Sequence, residues 1–201
     1  MKTQMLKFLA LIVVASVAVA FTNRAPQTYK VSPKESALTW TGKKVTGQHN
    51  GTVAISAGSL TWDGKTLKDG SFDIDLSTIT VTDITDADTN AKLVGHLKGD
   101  DFFGVAKTPK ATFVITSVTP KDGKYWVKGK LTIKGITNDS EFPATVKADG
   151  KKLTAEAKII VDRTKYDIKF RSTNFFENLG DKAISNDFEL DVKLVATVAG
   201  V

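Results

Sequence analysis

The chain has 201 residues, 41% hydrophobic and 25% charged, which suits one folded domain or two small ones and excludes a fibrous or disordered chain. It contains no cysteine, so disulfides, thiolate zinc sites, cysteine nucleophiles and lipid-modified cysteine anchors are excluded. Its 28 basic and 22 acidic residues leave +6, a surplus that aids solubility and is too small to argue for nucleic acid.

Lys2 and Lys7 precede the apolar run Phe8–Ala20, which ends in the small residues Ala18-Val19-Ala20. This pattern predicts a secretory signal peptide over 1–20, cleaved before Phe21. The run is shorter than the ~20 apolar residues that cross a bilayer as a helix. Without Lys2 and Lys7 the charge falls to +4. The expectation is therefore an exported, periplasmic protein with a loose lead-in over 21–27 and a single domain over 28–198.

After Pro26 the hydrophobic period is two. Leu38, Trp40 and Gly42 alternate with Thr39, Thr41 and Lys43, and Val53 and Ile55 continue the theme. Phe72, Ile74 and Leu76 follow, then a slip of phase before Ile79 that predicts a bulge near Ser77–Thr78. Thr89–Asp101 breaks the pattern with Ala91, Val94 and Leu97 at helical spacing. It reads as a short helix capped by Asp88 or Thr89, running into Phe102-Phe103. Strands resume with Phe113 and Ile115, then Val127–Ile133 and Ser140–Ala148, where Pro143 marks an edge or irregularity. Leu153–Val161 and Phe188–Val198 are the long final strands, with a second helical turn expected around Phe175–Leu179. Asp63-Gly64, Asp122-Gly123 and Asp149-Gly150 supply hairpin turns between neighbours. One apolar and one wet face per strand is the mark of antiparallel sheet. About eight strands suffice to close it, so the fold class is all-β, a closed antiparallel barrel with one or two short helices.

The inward positions divide by size. Gly129, Ala144, Ala148, Ala155, Ala157 and Ala196 are small, whereas Leu38, Trp40, Phe72, Ile74, Phe113 and Ile115 are large. Either the large side chains fill the room left by the small ones, or that room is an apolar cavity with an apolar guest.

Residues that carry chemistry are sparse. His49, in the Thr46–Gly51 loop, reads as solvated, and His96, beside Leu97 in the helix, as partly buried; their spacing fits no metal site. The aspartate pairs 73/75, 86/88 and 100/101 suit turns and caps better than a glycosidase cleft. No Ser-His-Asp order or glycine-rich phosphate loop occurs. In DRTKYDIKFR, Arg163, Lys165, Lys169 and Arg171 gather at the end of a strand. They either meet an anionic head group at a barrel mouth or form a solvated rim, with Asp162 paired to an arginine. Trp126 alone among the outward lysines makes no stacking platform, so nucleic acid is not expected.

Four stretches in order resemble the YceI-like family of exported polyisoprenoid-binding proteins. They are YKVSPKESALTWTGKKVTGQHNGTVAISAGSL (Tyr29–Leu60), GHLKGDDFFGVAKTPKATFVITSV (Gly95–Val118), LTIKGITNDSEFP (Leu131–Pro143) and DRTKYDIKFRSTNFFENLGDKAISNDFELDVKL (Asp162–Leu194). Asp167 and Gly104 depart from the family pattern, which commonly has small or amide residues at the first position and an acidic one at the second. The resemblance implies an extended lipocalin-like barrel whose deep pore holds a long isoprenoid chain, as on a quinone or polyprenyl carrier. Combined with inward phase, it points to Leu38, Trp40, Phe72, Ile74, Phe102, Phe103, Phe113, Ile115, Leu131, Ile133, Val146 and Ala157 as lipid-lining residues. Arg163, Lys165 and Arg171 are the head-group candidates. The expected partner is an isoprenoid lipid, with transient membrane contact, no cofactor and no metal. Two rival readings stand beside it: a filled barrel that binds another protein, and an envelope glycan hydrolase working through Asp73 and Asp75.

Overall fold

In the computed structural model, which describes residues 25–199, the alternating segments form ten antiparallel strands. The expected signal peptide and most of the lead-in lie outside the described residues. The strands are β1 (Gln27–Val31), β2 (Ala37–Lys44), β3 (Gly47–Thr52), β4 (Ala54–Trp62), β5 (Leu67–Asp75), β6 (Lys110–Lys121), β7 (Lys124–Ile133), β8 (Ile136–Asp149), β9 (Lys152–Asp162) and β10 (Ile184–Val198). Eight of them, β1 and β4 through β10, close into a ring through the β1–β10 pairs Tyr29↔Val198, Lys30↔Thr197 and Val31↔Ala196. The β2–β3 hairpin prolongs the wall upward. β2 pairs with β10 from Phe188 to Lys193, while Thr80 and Thr82 donate N–H bonds to Thr52 and Asn50 of β3.

The turns follow from backbone requirements. Asp122 (φ 52°) and Gly123 (φ 73°), like Lys134 (φ 51°) and Gly135 (φ 75°), form two-residue turns with both φ positive, the hand that matches strand twist. Lys134 carries no turn signal, so the sequence does not show that the strand expected over Ser140–Ala148 already begins at Ile136. The phase slip after Leu76 is not a bulge. Asp75 ends β5, accepts the N–H of Ser77 (2.9 Å) and caps a 3-10 turn, Leu76–Thr78. The helix α1 (Ala87–Lys98) begins earlier than expected, because Asp86 caps it by accepting the N–H of Thr89 at 2.9 Å. The later helical turn falls at Gly180–Lys182 instead of 175–179.

Pro143 does mark an irregularity. The β7–β8 ladder runs through it, but the β8–β9 ladder spans only Ala144–Asp149 and stops at the residue after it. Proline has no N–H to donate to a ladder, so pairing on one side of it is lost. The lower end of the barrel is filled by buried Leu60, Leu67, Val127, Leu153 and Ala196, with Trp62 and Tyr125 edge to face at 6.2 Å. The upper end is crossed by α1 and the loop after it.

Candidate functional site

Above the filled base lies a cavity of about 210 Å³. No polar atom contributes to its exposed wall. All twelve side chains expected to face inward border it: Leu38 and Trp40 on β2, Phe72 and Ile74 on β5, Phe113 and Ile115 on β6, Leu131 and Ile133 on β7, Val146 on β8, Ala157 on β9, and Phe102 and Phe103 from the loop after α1. Trp40 adds area without a polar atom, because its indole N–H is spent on the Thr80 carbonyl at 3.1 Å. Phe142, Ile159, Phe188, Leu190 and Val192 also line the cavity. Their inward phase was visible in the sequence, but each is an ordinary apolar residue on an apolar phase, so nothing set it apart.

Both readings of the small residues hold, at different levels. A Cβ at Gly129 would lie within 2.5 Å of the Phe113 ring and the Val114 carbonyl oxygen. The Phe113 ring thus crosses β7 over Gly129 and reaches Phe142 at 5.4 Å, with Phe72 stacked behind it at 6.4 Å. At this level large fills small. Ala144, Ala155 and Ala157 are different. They sit side by side across β8 and β9, with Ala144↔Ala157 and Val146↔Ala155 in register, and they border open space. Ala196 is wholly buried and Ala148 is exposed near the base, so neither contributes room.

Aromatic rings roof the cavity. His96 on α1 meets Phe102 edge-on at 4.9 Å and Phe170 at 4.7 Å, and Phe103 meets Phe188 at 6.3 Å. Leu97 points down from the same helix. Lys134 clamps the roof by donating to the carbonyl of Asp100 at 3.0 Å. Gly104 stands at φ 55°, a left-handed position that favours glycine, which accounts for the missing side chain there. Asp167 (φ 59°) also takes a left-handed position, which aspartate tolerates, and pairs outward with Lys169 at 2.6 Å.

The head-group candidates need correction. Arg163 borders the cavity, but its guanidinium is turned into the fold. It donates to the carbonyls of Ile168 (2.7 Å), Ser185 (2.8 Å) and Ile184 (3.1 Å). Burial lowers its pKa, opposed by nearby Asp162. Asp162 pairs with no arginine; it accepts from Thr164 N–H at 2.9 Å and caps the 3-10 turn Arg163–Tyr166, where a strand end was expected. Lys165 and Arg171 are exposed outside the cavity, Arg171 lying over the Phe170 ring at 5.1 Å. The three cations therefore do not converge on one point of the cavity.

The acids and histidines have structural partners. Asp73 pairs with Lys110 at 2.9 Å, Asp100 with Lys107 at 2.7 Å and Asp101 with His96 at 3.1 Å. His49 lies in β3, not a loop, and is partly exposed, with its Nδ1 2.8 Å from Asp83 Oδ2. Burial works against the Asp83 carboxylate, yet the Asn50 N–H and His49 outweigh it and hold its pKa below the usual value. Among the described residues no three such side chains cluster as a metal would require.

The wall is interrupted at two seams: β8 and β9 pair only from Ala144↔Ala157 down to Asp149↔Lys152, and β2 and β10 slip out of step. The β2–β10 register shifts between Ile184 and Phe188, and there the outward-phase residues Lys43, Ser185 and Asp187 border the cavity. The breach between β2 and β10, at the upper end, is a candidate mouth.

A family model described as YceI-like domain matches residues 29–196. A UPF0312 protein of Shewanella denitrificans is 37% identical over 93 residues, covering 45% of this chain and 44% of that one. Burkholderia cenocepacia BcnA superposes with a TM-score of 0.67 at 23% identity, over 83% of this chain and 99% of that one. A polyisoprenoid binding domain from Saccharophagus degradans, implicated in plant cell wall breakdown, superposes with a TM-score of 0.60 at 14% identity, over 86% and 99%. The chain spans about half the length of most of the curated relatives it matches.

Proposed function

The chain belongs to the YceI-like domain family, and from that footing we propose that it is an exported, periplasmic, non-enzymatic protein that holds an isoprenoid chain, of quinone or polyprenyl type, for storage or transport. The observation that carries this reading is the dry wall: the surface a ligand would touch in this cavity is made of apolar atoms. Such a site suits a hydrocarbon without a polar anchor. The polyisoprenoid binding of the Saccharophagus neighbour is consistent with it. Export rests on the charged-then-apolar start of the sequence, Lys2 to Ala20.

Size sets the stoichiometry. At about 10–15 Å³ per water-sized occupant, 210 Å³ takes roughly fifteen carbon-sized atoms, the carbons of three isoprene units. At about 0.8 kcal/mol per carbon, their gross burial is ~12 kcal/mol. Ordering the chain and losing its free motion offset much of that, which leaves reversible binding. The remainder of a longer chain leaves through the mouth between β2 and β10. Any polar head then sits outside, near solvent, and needs no buried partner.

The test is mass spectrometry of organic extracts from protein purified without detergent. A stoichiometric isoprenoid is the expected result. An extract free of lipid, from protein that also fails to take up a prenyl alcohol, refutes the reading.

A further inference from the structure

Three large apolar side chains stand exposed around the mouth: Val45 (64% exposed) in the β2–β3 turn, and Phe175 and Phe176 (each 49%) in the loop before the Gly180–Lys182 turn. The backbone ties them to one end of the barrel. Val45 N–H donates to the Ala183 carbonyl at 3.3 Å, Ile184 N–H to Arg171 at 2.9 Å, and the N–H groups of Phe175 and Phe176 both to Ser172 at 3.0 Å. Lys43, which borders the cavity, lies two residues before Val45, and Ile184, which also borders it, pairs with Lys44. The other exposed large apolar residues, Val114, Ile136 and Ile160, occur one to a strand on separate strands. Isolated examples of that kind are ordinary.

The same end carries cations. Lys169 lies 5.2 Å from the Phe175 ring while pairing with Asp167. Among the described residues, Lys44, Lys165, Arg171 and Lys182 form no ion pair, against the unpaired carboxylates Glu177, Asp181 and Asp187. Exposed rings and an aliphatic tip inside a ring of surplus positive charge are what an anionic bilayer surface accepts: apolar groups enter the acyl boundary while lysines and arginines stay among the phosphates.

We propose that this end of the barrel docks on an anionic lipid bilayer through Val45, Phe175 and Phe176, with Lys44, Lys165, Arg171 and Lys182 against the head groups. Docking places the mouth against the membrane, so an apolar chain passes between bilayer and cavity without crossing water. It also gives Lys165 and Arg171 a partner: the phosphates of the surface, not the head group of the cavity ligand. The inference rests on the cavity reading only for the purpose it assigns to docking; the contact itself stands on the surface alone.

Sedimentation with vesicles tests it, comparing phosphatidylglycerol-containing vesicles with phosphatidylcholine vesicles at low salt. A surplus of one charge at about 1 kcal/mol predicts roughly fivefold stronger partitioning onto the anionic vesicles, fading as salt rises. The variant Phe175→Ser/Phe176→Ser should lose at least about tenfold of that partitioning, with uptake of an apolar dye into the cavity unchanged. The variant Ala157→Trp, which fills the cavity, should still sediment with anionic vesicles. Wild-type partitioning by the double serine variant overturns the proposal, as does loss of partitioning in Ala157→Trp. A concentration-dependent dimer that the serine variant abolishes, with no vesicle binding, assigns the patch to a second copy and overturns it too. Dye uptake failing while vesicle binding persists would sink the cavity reading alone.

Discussion

Ala157 offers the sharpest perturbation of the cavity. It faces inward on β9, directly opposite Ala144 on β8 and Val192 on β10, and borders open space. Ala157→Trp adds about nine heavy atoms to a space with room for roughly fifteen, so more than half of the cavity is filled. A ligand displaced from nine carbon positions loses about 7 kcal/mol of gross burial, or about five orders of magnitude in affinity. The protein loses far less, because the indole covers bare apolar wall, which offsets the ~1–3 kcal/mol of leaving its N–H without an acceptor. Lipid measured in organic extracts should therefore fall to background, while the thermal midpoint stays level or rises. Lipid content equal to wild type, in a protein that melts as wild type does, refutes the placement of the ligand. Should the indole strain the β8–β9 ladder and lower the midpoint, Val192→Phe makes the same test from β10 with a smaller ring. It should cut lipid content by orders of magnitude at unchanged stability.

Gly129→Ala drives a methyl into the Phe113 ring and the Val114 carbonyl oxygen, both within 2.5 Å; urea unfolding should show a loss of about 2–3 kcal/mol. Arg163→Met leaves the carbonyls of Ile168, Ser185 and Ile184 without their donor in a buried site, a cost of about 3 kcal/mol or more, readable in the same assay. Asp73→Asn/Asp75→Asn should leave lipid content unchanged, and release of reducing sugar from envelope glycan by the wild type that this variant abolishes would revive the hydrolase reading. Acid should unfold the protein through its capping carboxylates. The Asp75 pKa is lowered from 3.8 by the Ser77 hydroxyl and N–H, and that of Asp86 by the Thr89 side chain and N–H. Groups depressed in the folded state stabilise it above the unfolded value and cease to do so as pH falls through the folded one. The thermal midpoint should therefore hold level from pH 7 to about 5 and decline below about 4; a decline already complete at pH 5 contradicts this account.

Most of the barrel was legible because its strands alternate cleanly, and Trp40, Phe72 and Phe113 announced a wall by phase alone. What stayed hidden depended on polar groups whose partners are remote in sequence. Arg163 looked like a rim cation until the Ile184–Ser185 carbonyls came to meet it. His49 gave no sign of its Asp83 partner, which reaches it from a loop 34 positions away. Asp86, Asp88 and Thr89 are all reasonable caps, and only the geometry of the first turn chooses Asp86. The β2–β3 hairpin turns at Val45-Thr46, which carries no turn chemistry of its own, so neither the hairpin nor the mouth beside it could be read from the chain.

The hollow itself was ambiguous because glycine and alanine on an inward phase mean different things. Gly58, Gly70 and Gly129 mark places where a neighbour has moved in: the Phe72 ring, Leu60 and the Phe113 ring lie where a Cβ would be. Losing the Cβ there makes room for a side chain, and the wall closes. Alanine at 144, 155 and 157 keeps its Cβ and still borders the cavity, with Ala157 the least buried of the three. A large-to-small pattern written in glycine therefore packs a barrel shut, as it does near the base. The same pattern written in paired alanines on adjacent strands leaves a groove a few carbons wide, as it does under the aromatic roof. On this argument Ala144→Leu, which bridges to the far wall, should shrink the room for ligand, whereas Gly129→Ala should damage the fold and leave the ligand's room nearly as it was. Comparing the two variants for lipid content and unfolding energy separates a wall built to be hollow from a core that is merely underfilled.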